Sequence, residues 1–487
     1  MTHRCAPLAG SAIGAIGALA LATAAQAAPS NDELAAMVRQ LQAQVQSLQA
    51  RLDAQERLQV RGQAAAEVAQ ATAVATQAQL ESAQSKIAAS EAKLAALPPP
   101  PAYTVAWDGA PRISGSGNSF KIRGRLLLDA TRQNLDRPGT LNDVAVAQVR
   151  GRQAFIGVEG NIGPNWFYKL EGGAVNGGAV AWDDAYIEYR HDARNSVIIG
   201  NQKFVGLENL TSTRFTSFMD RGPMDSLIDA TYHLGVYYWH VGSNYSVNAG
   251  VTGHTLNNPD VVTGPGSSGQ HERLTASARA TVAPINDDHT TVHLGAWTRY
   301  RKRGDDGAFT YTAGYNSPLR VASPVTTGGV GDHDLSLGLE GAWLHDSLSL
   351  QGEFASTAVD RGAAAPNFDL RAGYAFLSWF PTGEKRNYAL RGEFGRTRVL
   401  HPLSGEGWGA LELLARYDFA DFTAADSPAG VRLPNAGVYN AVTLGANWYP
   451  IGYVRFMANY TRGKYDNVGV LNDTDVDLFQ LRGQIDW

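Results

Sequence analysis

The chain closes on DVDLFQLRGQIDW, residues 475–487. Phe479, Leu481, Ile485 and Trp487 share one parity, with Gly483 among them, while Gln480, Arg482, Gln484 and Asp486 share the other. Successive side chains of a strand point to opposite faces, so this segment reads as a strand with one apolar and one polar face. In a barrel that crosses a bilayer, the apolar face meets lipid and the polar face meets water. The same alternation fits the last strand of a soluble sandwich, so the rest of the chain must decide.

The front end bears on that choice. His3 and Arg4 make a weakly basic start, Leu8–Ala22 is an apolar Ala/Gly-rich run of 15 residues, and Ala25-Gln26-Ala27 is a small-x-small site. This order predicts a cleaved export signal over residues 1–27. The run is shorter than the roughly 20 residues of a comfortable membrane helix. Cys5, the single cysteine, lies inside it without a lipobox, so no disulfide or Cys-based metal site is expected after export. An exported chain that ends a strand on an aromatic residue resembles the recognition signal of bacterial outer-membrane barrels.

Composition agrees. Charged residues make up 18% of the 487, below the roughly 25% of ordinary globular chains. No long apolar run follows the signal, which excludes a helical membrane protein but suits a barrel whose lipid-facing residues alternate with polar ones. The net charge is -5, so any anion preference must come from where the arginines stand.

Residues 28–97 read as a helical segment. Leu34, Leu41 and Leu48 recur every seven residues, as do Val38, Val45 and Leu52, and Leu80, Ile87 and Leu94 resume the repeat. These are a and d positions of a coiled coil. A single solvated helix or a disordered Ala/Gln linker is the competing reading; Val at a with Leu at d leans toward two strands where a trimer needs three, so the heptads leave the number open. Pro98–Pro101 stops any helix, and residues 98–119 read as a Pro/Gly/Ser linker. From Phe120 onward, strand-like segments of about 10 to 13 residues recur, the length a tilted membrane strand needs. Short connectors alternate with long ones. Seventeen segments read as strands, but the alternation fails between 380 and 410. The segment 386–396 is therefore set aside, and 16 antiparallel up-and-down strands are expected over 120–487.

Several of these stretches resemble the phosphate-selective porins O and P. They are FKIRGRLLLDA (120–130), RGRQAFIGVEGNIGPNWFYKLE (150–171), DDAYIEY (183–189), GNQKFVGLENLTSTRFTSFMDRG (200–222), WGALELLARYDF (408–419), VTLGANWYPIGYVRFMANYTR (442–462) and DLFQLRGQIDW (477–487). The resemblance implies an outer-membrane porin, an inward loop that narrows the channel, and basic residues on that loop near the narrowest point. Arg214 and Arg221 match the loop by order and neighbourhood, with Lys203 at its base.

Lipid rejects charge by roughly 2–4 kcal/mol at mid-bilayer, so charged faces must look into the lumen. Lys121, Arg123 and Arg125 share one face of the first strand, opposite Ile122, Leu126 and Leu128. Arg150 and Arg152 share a face that then carries Ala154, Ile156 and Val158, which predicts a rim or a kink. Arg273, Arg279, Arg299, Arg301, Arg416, Arg455 and Arg482 also read as lumenal, with Asp129, Glu188, Glu412 and Asp418 as candidate counter-charges. Rings of Arg and Lys are how anion and phosphate pores are built, although such charges also serve to hydrate a pore wall. Asp184 falls on the lumenal face, placed either to accept a proton-bearing phosphate oxygen or to pair with a nearby arginine. Trp166, Phe167, Tyr186, Tyr189, Tyr237–Trp239, Trp379, Phe380, Trp448, Tyr449 and Tyr460 read as interfacial girdles rather than nucleic-acid platforms.

The expected function is passive diffusion of small anions, inorganic phosphate first, through a homotrimer in the outer membrane of a Gram-negative bacterium. A general, weakly anion-selective porin is the nearest alternative. A structural barrel tethered to the cell wall through its coiled coil is another. An enzyme is not expected, because the histidines are scattered and no Ser/His/Asp set stands out. No cofactor, metal or nucleic-acid partner is expected.

Overall fold

The computed structural model describes residues 31–96, 103–107, 109–137, 143–176, 178–229, 231–257, 272–304, 307–314, 316–317, 319, 325–362, 366–423, 436–467 and 473–487. The expected signal, the Pro98–Pro101 break and the side chains of Leu34 and Leu94 lie outside them. The chain divides into two compact units, Met1–Pro100 and Pro101–Trp487.

In the first unit, α1 runs unbroken over Asn31–Ala96. Its Ala, Gln, Glu, Leu and Arg are strong helix formers, and no proline interrupts it. At 1.5 Å per residue it is roughly 100 Å long. Val38, Leu41, Val45, Leu48, Leu52, Leu80 and Ile87 are all exposed on it. No helix among the described residues is long and apolar enough to cross a membrane.

The second unit is a closed barrel of 16 antiparallel strands. In chain order they are β3 (Asn118–Asp136), β4 (Val144–Ile162), β5 (Trp166–Val175), β6 (Ala179–Arg190), β7 (Asn195–Gln202), β8 (His233–Val241), β9 (Tyr245–Thr252), β10 (Leu274–Asn286), β11 (Thr290–Lys302), β14 (His333–His345), β15 (Leu348–Asp360), β16 (Phe368–Trp379), β19 (Ala410–Asp421), β20 (Gly437–Ile451), β21 (Val454–Asn467) and β22 (Thr474–Asp486). Each pairs with its neighbour in sequence, and β22 returns to pair with β3 from Asp475↔Asp136 to Asp486↔Arg125. Trp487 and Gly124 exchange both backbone hydrogen bonds at 3.0 Å, and the Trp487 ring fills the space a Cβ on Gly124 would occupy. That close approach requires glycine at the seam.

Two short strands, β1 (Thr104–Trp107) and β2 (Pro111–Gly115), precede the barrel, and β2 pairs with the start of β3. The stretch 98–119 therefore holds paired strands as well as turns. Ser116 and Gly117, both at positive φ, make the hairpin between β2 and β3. Such two-residue turns match the strand twist only with positive φ, which Gly supplies freely. Residues 131–136 and 144–148 are also strand, because β3 and β4 continue well past the residues needed to cross a membrane.

The burial pattern is inverted relative to a soluble protein. On β22, Phe479, Leu481 and Ile485 are about 45% exposed while Gln480, Arg482, Gln484 and Asp486 are buried. Leu335, Leu337 and Leu339 face outward on β14, while Asp334, Ser336 and Glu340 face inward. The girdle expectation divides along this parity. Trp166, Tyr189, Tyr238, Trp379 and Tyr460 are outward, but Tyr237, Trp239, Phe380 and Tyr449 point into the barrel. Adjacent residues of a strand cannot share a face, so the run Tyr237–Trp239 could not all be girdle.

Between 380 and 409 there is no barrel strand. The segment holds only the two-residue pair β17 (Tyr388–Ala389) and β18 (Glu393–Phe394). The remaining insertion, between β11 and β14, carries the hairpin β12 (Phe309–Ala313) and β13 (Val325–Gly331). Leu481→Arg places a cation in mid-strand on the lipid face and should cost about 2–4 kcal/mol. Urea unfolding in lipid vesicles should show that loss, while Gln480→Arg on the lumenal face should cost clearly less.

Candidate functional site: a lumen narrowed by three insertions

Residues 203–232, between β7 and β8, cross the lumen. Apolar residues drive the crossing: Phe204, Val205, Leu207, Phe218, Met224, Leu227 and Ile228 are buried against Tyr237, Phe376 and other wall residues. Gly206 at φ 83° turns the chain into the short helix α2 (Leu207–Leu210). There Glu353 of β15 accepts the backbone N–H groups of Leu207 and Glu208 at 2.7 and 2.8 Å. The far wall holds the rest of the loop. Asn447 donates to the Ser217 carbonyl, Arg455 to the Thr216 carbonyl, Arg482 to the Met219 carbonyl and Gln484 to the Arg214 carbonyl, all within 3.1 Å.

Two further segments enter the barrel. From the long-loop side, Asn316 donates to Asp418 and Ser317 to Gln133. From the short-turn side, the 380–409 segment reaches the inward loop itself, where the Phe394 N–H donates to Thr211 at 3.1 Å. Arg279 holds this segment through the carbonyls of Arg391 and Gly392, both at 2.8 Å. Its failure to alternate follows from this: it packs side chains on both sides of an irregular backbone.

Arg123, Arg125 and Arg214 converge on one carboxylate, Glu171 of β5, which is fully buried. Arg123 also pairs with Glu159, and Arg125 with Asp183. A buried charge needs this kind of compensation. The three guanidiniums face the lumen, but their charge is largely cancelled by the wall. The same holds for Arg416 with Glu208 and Asp418, Arg482 with Asp129, Arg301 with Asp334, and Arg279 with Glu340.

Lys121 sits at the extended foot of β3, opposite Glu159 of β4 and Arg112 of β2, beyond the end of β22. Arg152 is the extra residue of a bulge, since Leu127 opposes Gln153 while Leu128 opposes Gly151. The bulge switches parity, which explains why the face of Arg150 appears to continue into Ala154 and Ile156. The lumenal face of β4 in fact continues through Gln153, Phe155 and Gly157. Arg152 lies 3.6 Å from Asp220 and donates to Asn176 at 3.0 Å. Arg150 makes no ion pair among the described residues, and its Nε and Nη2 are buried without a partner. A second irregularity opposite Glu171, between Leu170↔Ala185 and Gly172↔Trp182, turns both Asp183 and Asp184 inward. Asp184 pairs with Lys169 at 2.6 Å rather than with an arginine.

Lys203 and Arg221 cap the end of α2. Lys203 donates to the Asn209 carbonyl at 3.3 Å, and Arg221 to the carbonyls of Glu208 and Thr211 at 3.1 and 2.7 Å. Lys203 and Tyr232 line two spaces at once. One, of about 450 Å³, opens to the long-loop side past Arg152, Asp220, Arg221 and Asn316. The other, of about 130 Å³, lies between β5–β8, the inward loop and the 380–409 segment. Burial pushes the Lys203 ammonium down to about 7; the Arg221 charge adds to the fall, and Asp225 opposes it. Arg391 and Glu393, which also line the smaller space, carry no sequence signal of their own, because their position depends on the fold of the 380–409 segment. No cluster among the described residues suits a metal ion.

A closed barrel with an apolar outer surface and a polar lumen narrowed by folded-in segments defines a porin of the outer membrane. The chain belongs to the phosphate-selective porin O and P family, whose model matches residues 120–487. It is 28% identical over 406 residues to an uncharacterized protein of Caulobacter vibrioides, covering 78% of this chain and 77% of that one. Among solved structures it is similar to the anion-selective porin from Comamonas acidovorans, at 11% identity over 76% of this chain and 100% of that one, with a TM-score of 0.47. It is also similar to OmpT of Vibrio cholerae, at 11% identity over 77% and 99%, with a TM-score of 0.45.

Glu171→Gln should leave three lumenal guanidiniums under-neutralised. Breaking a buried ion cluster this way costs about 3–5 kcal/mol in urea unfolding. The reversal potential in a chloride gradient should shift toward stronger anion preference. Lys203 is protonated below about 7 and neutral above it, so anion preference should decline as pH rises through that value. Lys203→Met should flatten the profile; a wild-type reversal potential constant over that range would show that Lys203 does not titrate there.

Proposed function

We propose that this porin passes small anions, inorganic phosphate among them, by passive diffusion. The supporting observation is Lys203, which lines both lumenal spaces and has no carboxylate partner among the described residues. Arg152 and Arg221 line the larger space, and with Arg150, two residues before Arg152, they focus anions toward Lys203. Contacts replace hydration water one group at a time, and their weakness lets the ion leave. Asp184 beside Lys169 accepts a hydrogen bond from a protonated phosphate oxygen. Lys121, Arg123, Arg125 and Arg214 set the background potential of the wall. The protein carries out no chemistry on what it passes.

A second reading is a general porin with mild anion bias. It is favoured by the Glu171 cluster, where the arginines expected to bind anions are already neutralised. The proposal includes a homotrimer, export by a cleaved signal over 1–27, and a helical segment over 28–97 that associates through its exposed heptad positions and contacts the cell wall.

Single-channel currents in planar bilayers, in chloride with phosphate titrated in, separate these readings. Sub-millimolar block by phosphate (on the order of -4 kcal/mol or better) together with strong anion selectivity supports the phosphate path. A large, weakly selective current indifferent to phosphate supports the general porin. Deleting residues 31–97 should leave the conductance intact if that helix serves only attachment.

A further inference from the structure

The smaller lumenal space contains more than an anion needs. Lys203 is its one ammonium group without a carboxylate partner among the described residues, since Lys169 pairs with Asp184 and Arg391 with Glu188. Glu393 lines the same space, and its carboxylate makes no hydrogen bond or ion pair among the described residues. Tyr186 and Tyr232 supply apolar wall.

Inorganic phosphate answers only half of this set, because Glu393 repels it. A solute with a carboxylate and an ammonium on one small skeleton answers all of it. The space holds about 130 Å³. That admits a body of a few heavy atoms.

We infer that the space between the inward loop and the 380–409 segment is a binding subsite for small zwitterions of the α-amino-acid class. The solute's carboxylate meets Lys203, and its ammonium meets Glu393. The inference rests on the porin reading for access but not on phosphate selectivity. Burial pushes the empty Glu393 carboxyl up, and an ammonium placed beside it restores the ionised form. Waters fill the space between passages, and a solute that reproduces their hydrogen bonds displaces them without penalty.

The test uses the full chain in planar bilayers carrying a chloride current. Three probes of one skeleton are titrated: L-serine, 3-hydroxypropanoate, which lacks the ammonium, and ethanolamine, which lacks the carboxylate. One extra partly screened ion pair should lower the half-blocking concentration of L-serine about fivefold below either single-charge analogue. Glu393→Gln should bring L-serine to the level of 3-hydroxypropanoate, and Lys203→Met should weaken both. Wild-type block by L-serine no better than by 3-hydroxypropanoate overturns the subsite while leaving the channel standing. Absence of any current overturns the channel and the subsite together.

Discussion

Everything in this structure depends on the lack of water in the hydrocarbon layer. A backbone N–H or C=O facing lipid has nothing to bond with, so a sheet can cross only if it has no edge. Pairing of β22 with β3, completed by Trp487 and Gly124, removes the edge. Once the barrel is closed, strand parity sorts the side chains. Even a modest alternation along each strand becomes an apolar exterior and a polar interior.

That interior then has its own problem. A 16-stranded barrel is too wide for its wall side chains to fill, and it carries many ionisable groups. Three connecting segments fill it: wall side chains bond to carbonyls of the inward loop and of the 380–409 segment, while the insertion between β11 and β14 donates through Asn316 and Ser317 to the wall. Wall arginines and carboxylates neutralise one another around Glu171, Asp129, Asp334 and Glu340. The chemistry left to a passing solute is therefore set by the few groups outside these networks. Lys203 and Glu393 of the smaller space are such groups, and Arg150 at the bulge is another.

The barrel and its parity were legible in the sequence because period-two alternation is local. The inward direction of Arg123 and Arg125 and the polar face of the last strand follow from adjacent residues alone. So does the exclusion of 386–396 from the strands, since broken alternation is also a local signal. What could not be read is long-range. Nothing near Arg123 or Arg214 in sequence announces Glu171, and nothing near Glu393 announces Lys203. The puzzle at Arg150 and Arg152 had a local answer, a bulge, but a bulge shows only as two parities that fail to join.

The sequence by itself determined the strand count, which face of most strands meets lipid, and the helical character of the segment before the barrel. These depend on side-chain hydrophobicity and spacing. Only the tertiary structure decided which lumenal charges are cancelled and which remain open. Burial makes a charge costly until a partner cancels it, and those partners come from strands and insertions far apart along the chain.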